Sequence, residues 1–140
     1  MGTKMIIATL VGTVVAFFLG CLVFGILMEP YYQANATEFK GLYRNHDEQK
    51  IYGFALAYLC WSALLAYIFD KWANIRSLGA GFMGGLIVFG LANAGFNFET
   101  WSVMNLAPYK MYVVNTLVYA VYGGIIGAVI AWVLGRSKSA

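Results

Sequence analysis

The sequence predicts an all-α protein, an integral membrane four-helix bundle, on two observations. Of the 140 residues, 61% are hydrophobic and only 11% are charged, whereas a soluble domain carries about 25% charged residues. Four stretches contain no charged residue at all, and they cover residues 5–28, 51–69, 78–98 and 111–135. Each can cross a hydrocarbon core of about 30 Å, which takes roughly 20 apolar residues. We therefore expect a single transmembrane domain over residues 1–140.

The first span follows Lys4 and has the outline of a signal peptide. Its apolar run is longer than the about 7–15 residues of such peptides and lacks their small-residue cleavage site, so we expect a retained helix. Pro30 should end this helix, because a proline ring blocks helix continuation. Cys21 in this span and Cys60 in the next lie outside any C-x-x-C pair, which predicts packing roles for both.

The loop after the first span is predicted to contain a short amphipathic helix, residues 36–48, at the membrane interface. Asn35 precedes Glu38 by three residues, a spacing that resembles a capping box. Apolar residues then follow at i, i+3 and i+4 from Phe39, which places them on one helical face.

The four spans together suggest an internal duplication. A shift of 65 residues without gaps places residues 20–25 on 85–90 and residues 64–71 on 129–136, so one offset aligns both helices of each half. This alignment predicts two parallel helix-hairpin repeats, related by an axis along the membrane normal. Chance similarity between apolar segments is the alternative.

The basic residues predict the orientation. Lys4, Lys71, Arg76 and two residues beyond position 135 lie at the end of the bundle that holds the termini, close to span ends. Basic residues in such positions favour the cytoplasmic side. We expect both termini in the cytoplasm, although four basic residues at the other end also leave dual topology open.

Small residues recur every four positions on three spans. They are Gly12, Ala16 and Gly20; Gly81 and Gly85; and Gly123, Gly127, Ala131 and Gly135. Because the hydrophobic effect does not drive helices together in lipid, such small-xxx-small faces serve close backbone packing. An ion pathway is the alternative, but it usually needs an ionisable group inside the membrane, and the predicted spans contain none.

Polar side chains concentrate in the non-cytoplasmic half of the spans, away from the end that holds the termini. The predicted ligand-binding residues there are Asn93, Asn97, Asn115, Tyr119, Tyr112, Tyr58, Glu29 and Glu99. Helices held together by glycine at one end and separated by tyrosine at the other would enclose a vestibule. The alternative is structural, an aromatic belt with amide hydrogen bonds between the helices.

The first span closes on Phe24-Gly25 and Glu29-Pro30-Tyr31-Tyr32, and the last carries Asn115-x3-Tyr119-x3-Gly123-Gly124-x2-Gly127. With the four-span plan, these residues resemble the domain of unknown function 1761 family, small bacterial membrane proteins. The resemblance covers nearly the whole chain. It implies a multi-pass protein of the cell inner (plasma) membrane and supplies no catalytic residues.

The sequence shows no catalytic motif, and we expect a non-enzymatic protein without metal or cofactor. His46 beside Asp47 and Glu48 makes a poor metal cluster, since adjacent residues point in different directions. The net charge of +3 is scattered, which argues against nucleic acid. We predict binding of a membrane lipid, a small apolar molecule or a membrane partner through the non-cytoplasmic half. The alternatives are a minimal transporter working as a homodimer and a lipid-acting enzyme using Glu29, Glu99 and His46.

Overall fold

A computed structural model, which describes residues 2–44 and 46–136, shows an all-helical chain with no strand in those residues. The α-helices are α1 (Thr3–Leu22), α2 (Glu29–Asn35), α3 (Ile51–Tyr67), α4 (Leu78–Val103) and α5 (Tyr109–Arg136). π-Helical turns at Val23–Leu27 and Ile68–Trp72 extend α1 and α3. With these extensions, α1, α3, α4 and α5 are each long and apolar enough to span a membrane. The predicted helical membrane bundle is confirmed.

The spanning helices run past several predicted ends. The helix α4 continues beyond residue 98 to Val103, so Glu99 lies within it rather than after it. Two polar side chains of this last segment are satisfied by their own helix, since Thr100 donates to the Phe96 carbonyl and Ser102 to the Phe98 carbonyl, at 2.8 and 2.7 Å. A charged residue thus marks the edge of an apolar stretch without stopping the helix.

The predicted amphipathic helix at residues 36–48 is wrong. Residues 36–44 form no helix, and only a 3₁₀ turn at His46–Glu48 follows. The helix forms earlier, as α2, with Pro30 in its first turn, where a proline ring has no preceding turn to clash with. The Asn35 side chain bonds back to the Tyr31 carbonyl at 2.8 Å instead of capping a following helix.

We call the end of the bundle that holds Thr3 and Arg136 the termini end, and the other the loop end. The termini end is closed by backbone contact between α4 and α5. A Cβ atom added at Gly127 would meet the Gly81 carbonyl oxygen and lie 2.9 Å from the Gly85 Cα. The short turn after α3 is tied down as well, because Asp70 accepts a hydrogen bond from Arg76 at 2.7 Å. The small-residue faces of α4 and α5 are therefore packing faces.

The hydrophobic core lies at the same end, with α5 in contact with α1, α3 and α4. Its largest fully buried apolar side chains are Met5, Leu65, Phe69, Ile126 and Ile130.

Part of the burial pattern follows the 65-residue offset. Ser62, Leu65, Ala66 and Phe69 of α3 and its π-helical extension are buried, and so are their equivalents Gly127, Ile130, Ala131 and Leu134 of α5. Ala16 and Gly20 of α1 are likewise buried, as are Gly81 and Gly85 of α4. Other positions depart from the offset, since Tyr122 and Ile126 are buried whereas Ala57 and Trp61 are exposed, and the duplication stays a prediction.

Candidate functional site

A cavity of about 980 Å³ lies between the helices at the loop end. Of the eight predicted site residues, six line it: Glu29, Tyr58, Asn97, Tyr112, Asn115 and Tyr119. Asn93 and Glu99 do not. Asn93 lies one helical turn behind Asn97, and Glu99, two positions after Asn97, is exposed on a different side of α4.

The amide side chains of α4 and α5 form one hydrogen-bonded cluster at the cavity wall. The Asn97 amide nitrogen lies 2.6 Å from the Asn93 oxygen and 3.0 Å from the Thr116 hydroxyl. The Asn115 amide donates to the Asn97 oxygen at 3.3 Å. The amides join α4 to α5, as the structural alternative predicts. They also border an open volume, so both interpretations apply to them.

Tyr32 of α2 extends this cluster. Its hydroxyl donates to the Asn115 oxygen at 2.6 Å. Burial, and to a lesser extent the neighbouring Tyr119 and Tyr31, raises the pKa of the Tyr32 phenol, so it stays protonated and can donate. Tyr32 was not among the predicted site residues because its position depends on α2, which the sequence analysis placed wrongly.

Tyr112 is another polar residue of the wall. It is only 7% exposed, and its hydroxyl is buried without a hydrogen-bond partner among the described residues. A buried polar group without a partner costs free energy in an apolar environment. The hydroxyl oxygen has almost no accessible surface, so it does not open into the cavity that Tyr112 lines.

The bottom of the cavity is aromatic and closed. Phe24 stacks on Tyr119 with ring centroids 4.4 Å apart and contacts Tyr122 edge-on. The Tyr122 hydroxyl donates to the Ala16 carbonyl at 2.7 Å and so ties α5 to α1. Gly20, which the sequence analysis assigned to a packing face, lines the cavity here against the Tyr58 ring.

The rim of the cavity is polar. Gln33, Arg44, Gln49 and Thr100 line it, and Gln33 donates to Glu29 at 3.0 Å. Loop residues such as Arg44 reach the rim because the Thr37 amide donates to the Leu106 carbonyl at 2.8 Å, which joins the two loops of this end. No signal in the sequence pointed to Gln33, Arg44 or Gln49.

The arrangement offers little for catalysis. Among the described residues no group of histidine, cysteine and acidic side chains could hold a metal ion. Of the three acid–base groups of the enzyme hypothesis, only Glu29 is placed at the cavity; Glu99 lies outside it, and the His46 side chain lies outside the described part of the chain. What the geometry offers is an apolar volume with a polar rim and a few convergent hydrogen-bonding groups.

No family model matches the chain, and no curated protein or solved structure matches it. The fold and the cavity thus define a class only, a small helical protein with four helices able to span a membrane and a cavity at one end of the bundle. The resemblance to the domain of unknown function 1761 family stays a prediction.

Proposed function

We propose that this protein binds a small amphiphilic or apolar molecule of the membrane in the loop-end cavity and does not transform it. Small-molecule sites are typically concave volumes of about 300–1,000 Å³ with mainly apolar walls and a few placed polar groups. The cavity has this size and composition. The observation that carries the proposal is the apolar volume itself, bordered by the Asn97 and Asn115 amides.

The protein is proposed to reside in the cell inner membrane with its termini in the cytoplasm, which turns the cavity toward the outer side. The basic residues at the termini end support this orientation, with Lys4, Arg76 and Arg136 all close to helix ends. Reporter fusions after Arg76 should indicate the cytoplasm, and a fusion near Arg44 should not. Mixed signals at both sites would indicate dual topology.

Occupancy of the cavity can be tested by filling it. Gly25 lines the cavity, and a Cβ atom added there would meet nothing within 4 Å, so Gly25→Trp can place an indole ring in the cavity and take up part of its volume. Gly95→Trp is the matched control, since Gly95 has equally open space and lies outside the cavity. Native mass spectrometry of the protein purified from membranes should show a bound small molecule in the wild type and the Gly95 variant and none in the Gly25 variant. Equal occupancy in all three proteins would exclude the cavity as the binding site.

The two cysteines offer an independent test. Both are exposed on the isolated chain, but only Cys21 lines the cavity. In delipidated protein, a water-soluble maleimide should modify Cys21 of a Cys60→Ala variant, and re-added membrane extract should slow that reaction. Cys60 of a Cys21→Ala variant should react more slowly, because it lies outside the cavity on a surface that the detergent micelle covers. Modification of Cys60 alone would contradict a solvent-reachable cavity.

A further inference from the structure

The cavity is open on one side, between α3 and α4. Every residue of α3 from Ile51 to Ala57 is exposed, so none of them is buried against a neighbouring helix. The helix α1 packs against both α3 and α5, and α5 packs against α4, whereas α3 and α4 make no comparable contact. If the predicted duplication holds, the α3–α4 seam is the equivalent of the α1–α5 seam, and one of two equivalent seams is packed while the other is open.

The open seam has a defined lower edge. Trp61 of α3 and Phe89 of α4 meet with ring centroids 4.9 Å apart, and below them Phe69 packs against Gly84. Above this edge, Phe54 and Phe96 both line the cavity, and they are 45% and 69% exposed. The gap between α3 and α4 therefore begins above the Trp61–Phe89 contact and continues toward the loops.

The polarity of the cavity changes with depth. Arg44, Gln33 and Gln49 lie at the rim and the amide cluster below them, while the floor is formed by aromatic rings such as Phe24 and Tyr119. Tyr112 and Tyr119 are seven residues apart on α5, which corresponds to about 10 Å along the helix at a rise of about 1.5 Å per residue. A side opening at the level of apolar spans faces lipid chains, whereas the rim lies at the level of the headgroups.

From this geometry we infer that the gap between α3 and α4 admits one acyl chain of a phospholipid from the leaflet at the loop end, with the chain on the aromatic floor, the ester groups at the level of the amide cluster and the phosphate beside Arg44. The inference rests on the proposed function and adds the ligand class and the route of access. The Asn97 and Asn115 amides line the cavity and can donate to an ester carbonyl, and the Arg44 guanidinium at the rim is a donor for phosphate oxygens.

Two tryptophans allow a matched test. Trp61 at the lower edge of the gap and Trp132 of α5 at the termini end are almost equally exposed, at 37% and 40%. Two single-tryptophan proteins, each with the other three tryptophans changed to Phe, are titrated in detergent micelles with a phospholipid brominated on its acyl chain. Trp61 fluorescence should fall steeply and reach saturation at mole fractions where Trp132 is barely quenched. Unbrominated phospholipid should reverse this quenching by competition, and a brominated free fatty acid should act only at much higher mole fractions.

Equal quenching of Trp61 and Trp132 would overturn the inference, and so would saturation by the fatty acid with no preference for the phospholipid. A crosslinking measurement covers the case in which the tryptophan variants fold poorly. Benzoylphenylalanine at Phe54 or Phe96 should capture phospholipid far more efficiently than at Leu91, an exposed α4 position that does not line the cavity. If a bound molecule depends on Gly25 but neither Trp61 nor Phe54 detects it, the proposed function stands and lateral access is wrong. If no molecule is bound at all, the proposed function fails first.

Discussion

The two helical hairpins of the bundle, α1 with α3 and α4 with α5, bury equivalent positions but differ in how closely their helices approach. In the second hairpin, a Cβ atom added at Gly85 would meet the carbonyl of Gly123. In the first, the equivalent Gly20 faces the Tyr58 hydroxyl instead, and Tyr58 occupies the position that corresponds to Gly123. A phenol in place of a glycine keeps α1 and α3 apart at this level, and the cavity lies where they separate.

This difference shows how a small bundle can combine a rigid half and an open half. Helices in lipid associate through direct packing, so a glycine face lets two backbones make many short contacts. The α4–α5 hairpin packs through such a glycine face and forms the cavity wall that carries the amide cluster. The α1–α3 hairpin packs less closely at the loop end, and the surface exposed between its helices there is apolar and concave.

The largest effect is expected from breaking the closed hairpin. Gly127→Leu would place a branched side chain against the Gly81 carbonyl and the Gly85 Cα, which cannot move aside as a flexible side chain can. Overpacking of this kind costs about 1–3 kcal/mol, and we expect a loss near the upper end of that range. Gly79→Leu is the control, because nothing lies within 4 Å of its added Cβ. The free energy of unfolding in detergent is measured for both variants. Equal values would show that the backbone contact is not the basis of the closed hairpin.

A somewhat smaller effect is expected from closing the open hairpin. Tyr58→Ala removes the ring that separates α1 from α3; truncation of a buried aromatic costs about 3–5 kcal/mol, and for this partly buried ring we expect about half of that. The variant should also lose the bound molecule as α1 and α3 approach. Tyr58→Phe keeps the ring and should retain the molecule, and Tyr52→Ala, at an exposed position of the same helix, should change little. Full occupancy in Tyr58→Ala would mean that the ring does not hold the cavity open.

The sequence predicted the long helices well, and it predicted most of the polar cavity wall. Apolar length locates a membrane helix almost without regard to its neighbours, and Asn97, Asn115 and Tyr112 stand out because amides and phenols inside an apolar span need partners. The loop was predicted wrongly because its cues are local and ambiguous. Pro30 can follow one helix and also open the next, and it does both, since the first span ends at Leu27 and α2 begins at Glu29.

The cavity rim was missed for a different reason. Arg44 and Gln49 reach the cavity because the loops of this end are joined through Thr37 and Leu106, a contact between residues far apart in the sequence. Tyr32 reaches Asn115 in the same way, across 83 positions of the chain. Such contacts leave no periodic pattern in the sequence. The positions of side chains that depend on the path of a loop therefore cannot be predicted from periodicity.

The amide cluster should contribute less than either hairpin contact. Asn97→Leu removes the bond to Thr116 and the acceptor that Asn115 uses, and interhelical hydrogen bonds in a membrane bundle average about 0.6 kcal/mol each. We expect a loss of about 1 kcal/mol in the free energy of unfolding. Thr100→Val is the control, since the Thr100 hydroxyl bonds only within its own helix. A loss of similar size in both variants would show that the cluster does not join α4 to α5.

The smallest effects are expected at two buried hydroxyls that lack partners among the described residues, Ser62 in the closed core and Tyr112 on the cavity wall. Ser62 is fully buried, and its Cβ would lie 3.3 Å from a Cβ added at Gly12, so little room exists for a partner. Replacing an unpartnered polar group with an apolar one of similar shape is nearly neutral or stabilising, and Ser62→Ala should change the free energy of unfolding by less than about 1 kcal/mol, in the stabilising direction, without altering binding. Tyr112→Phe should be as mild, and because the Tyr112 oxygen is also closed off from the open volume, binding should again stay unchanged. Phospholipid titrations of the two variants test this expectation. If Tyr112→Phe alone weakens binding, the bound molecule reaches the Tyr112 hydroxyl only after the wall rearranges.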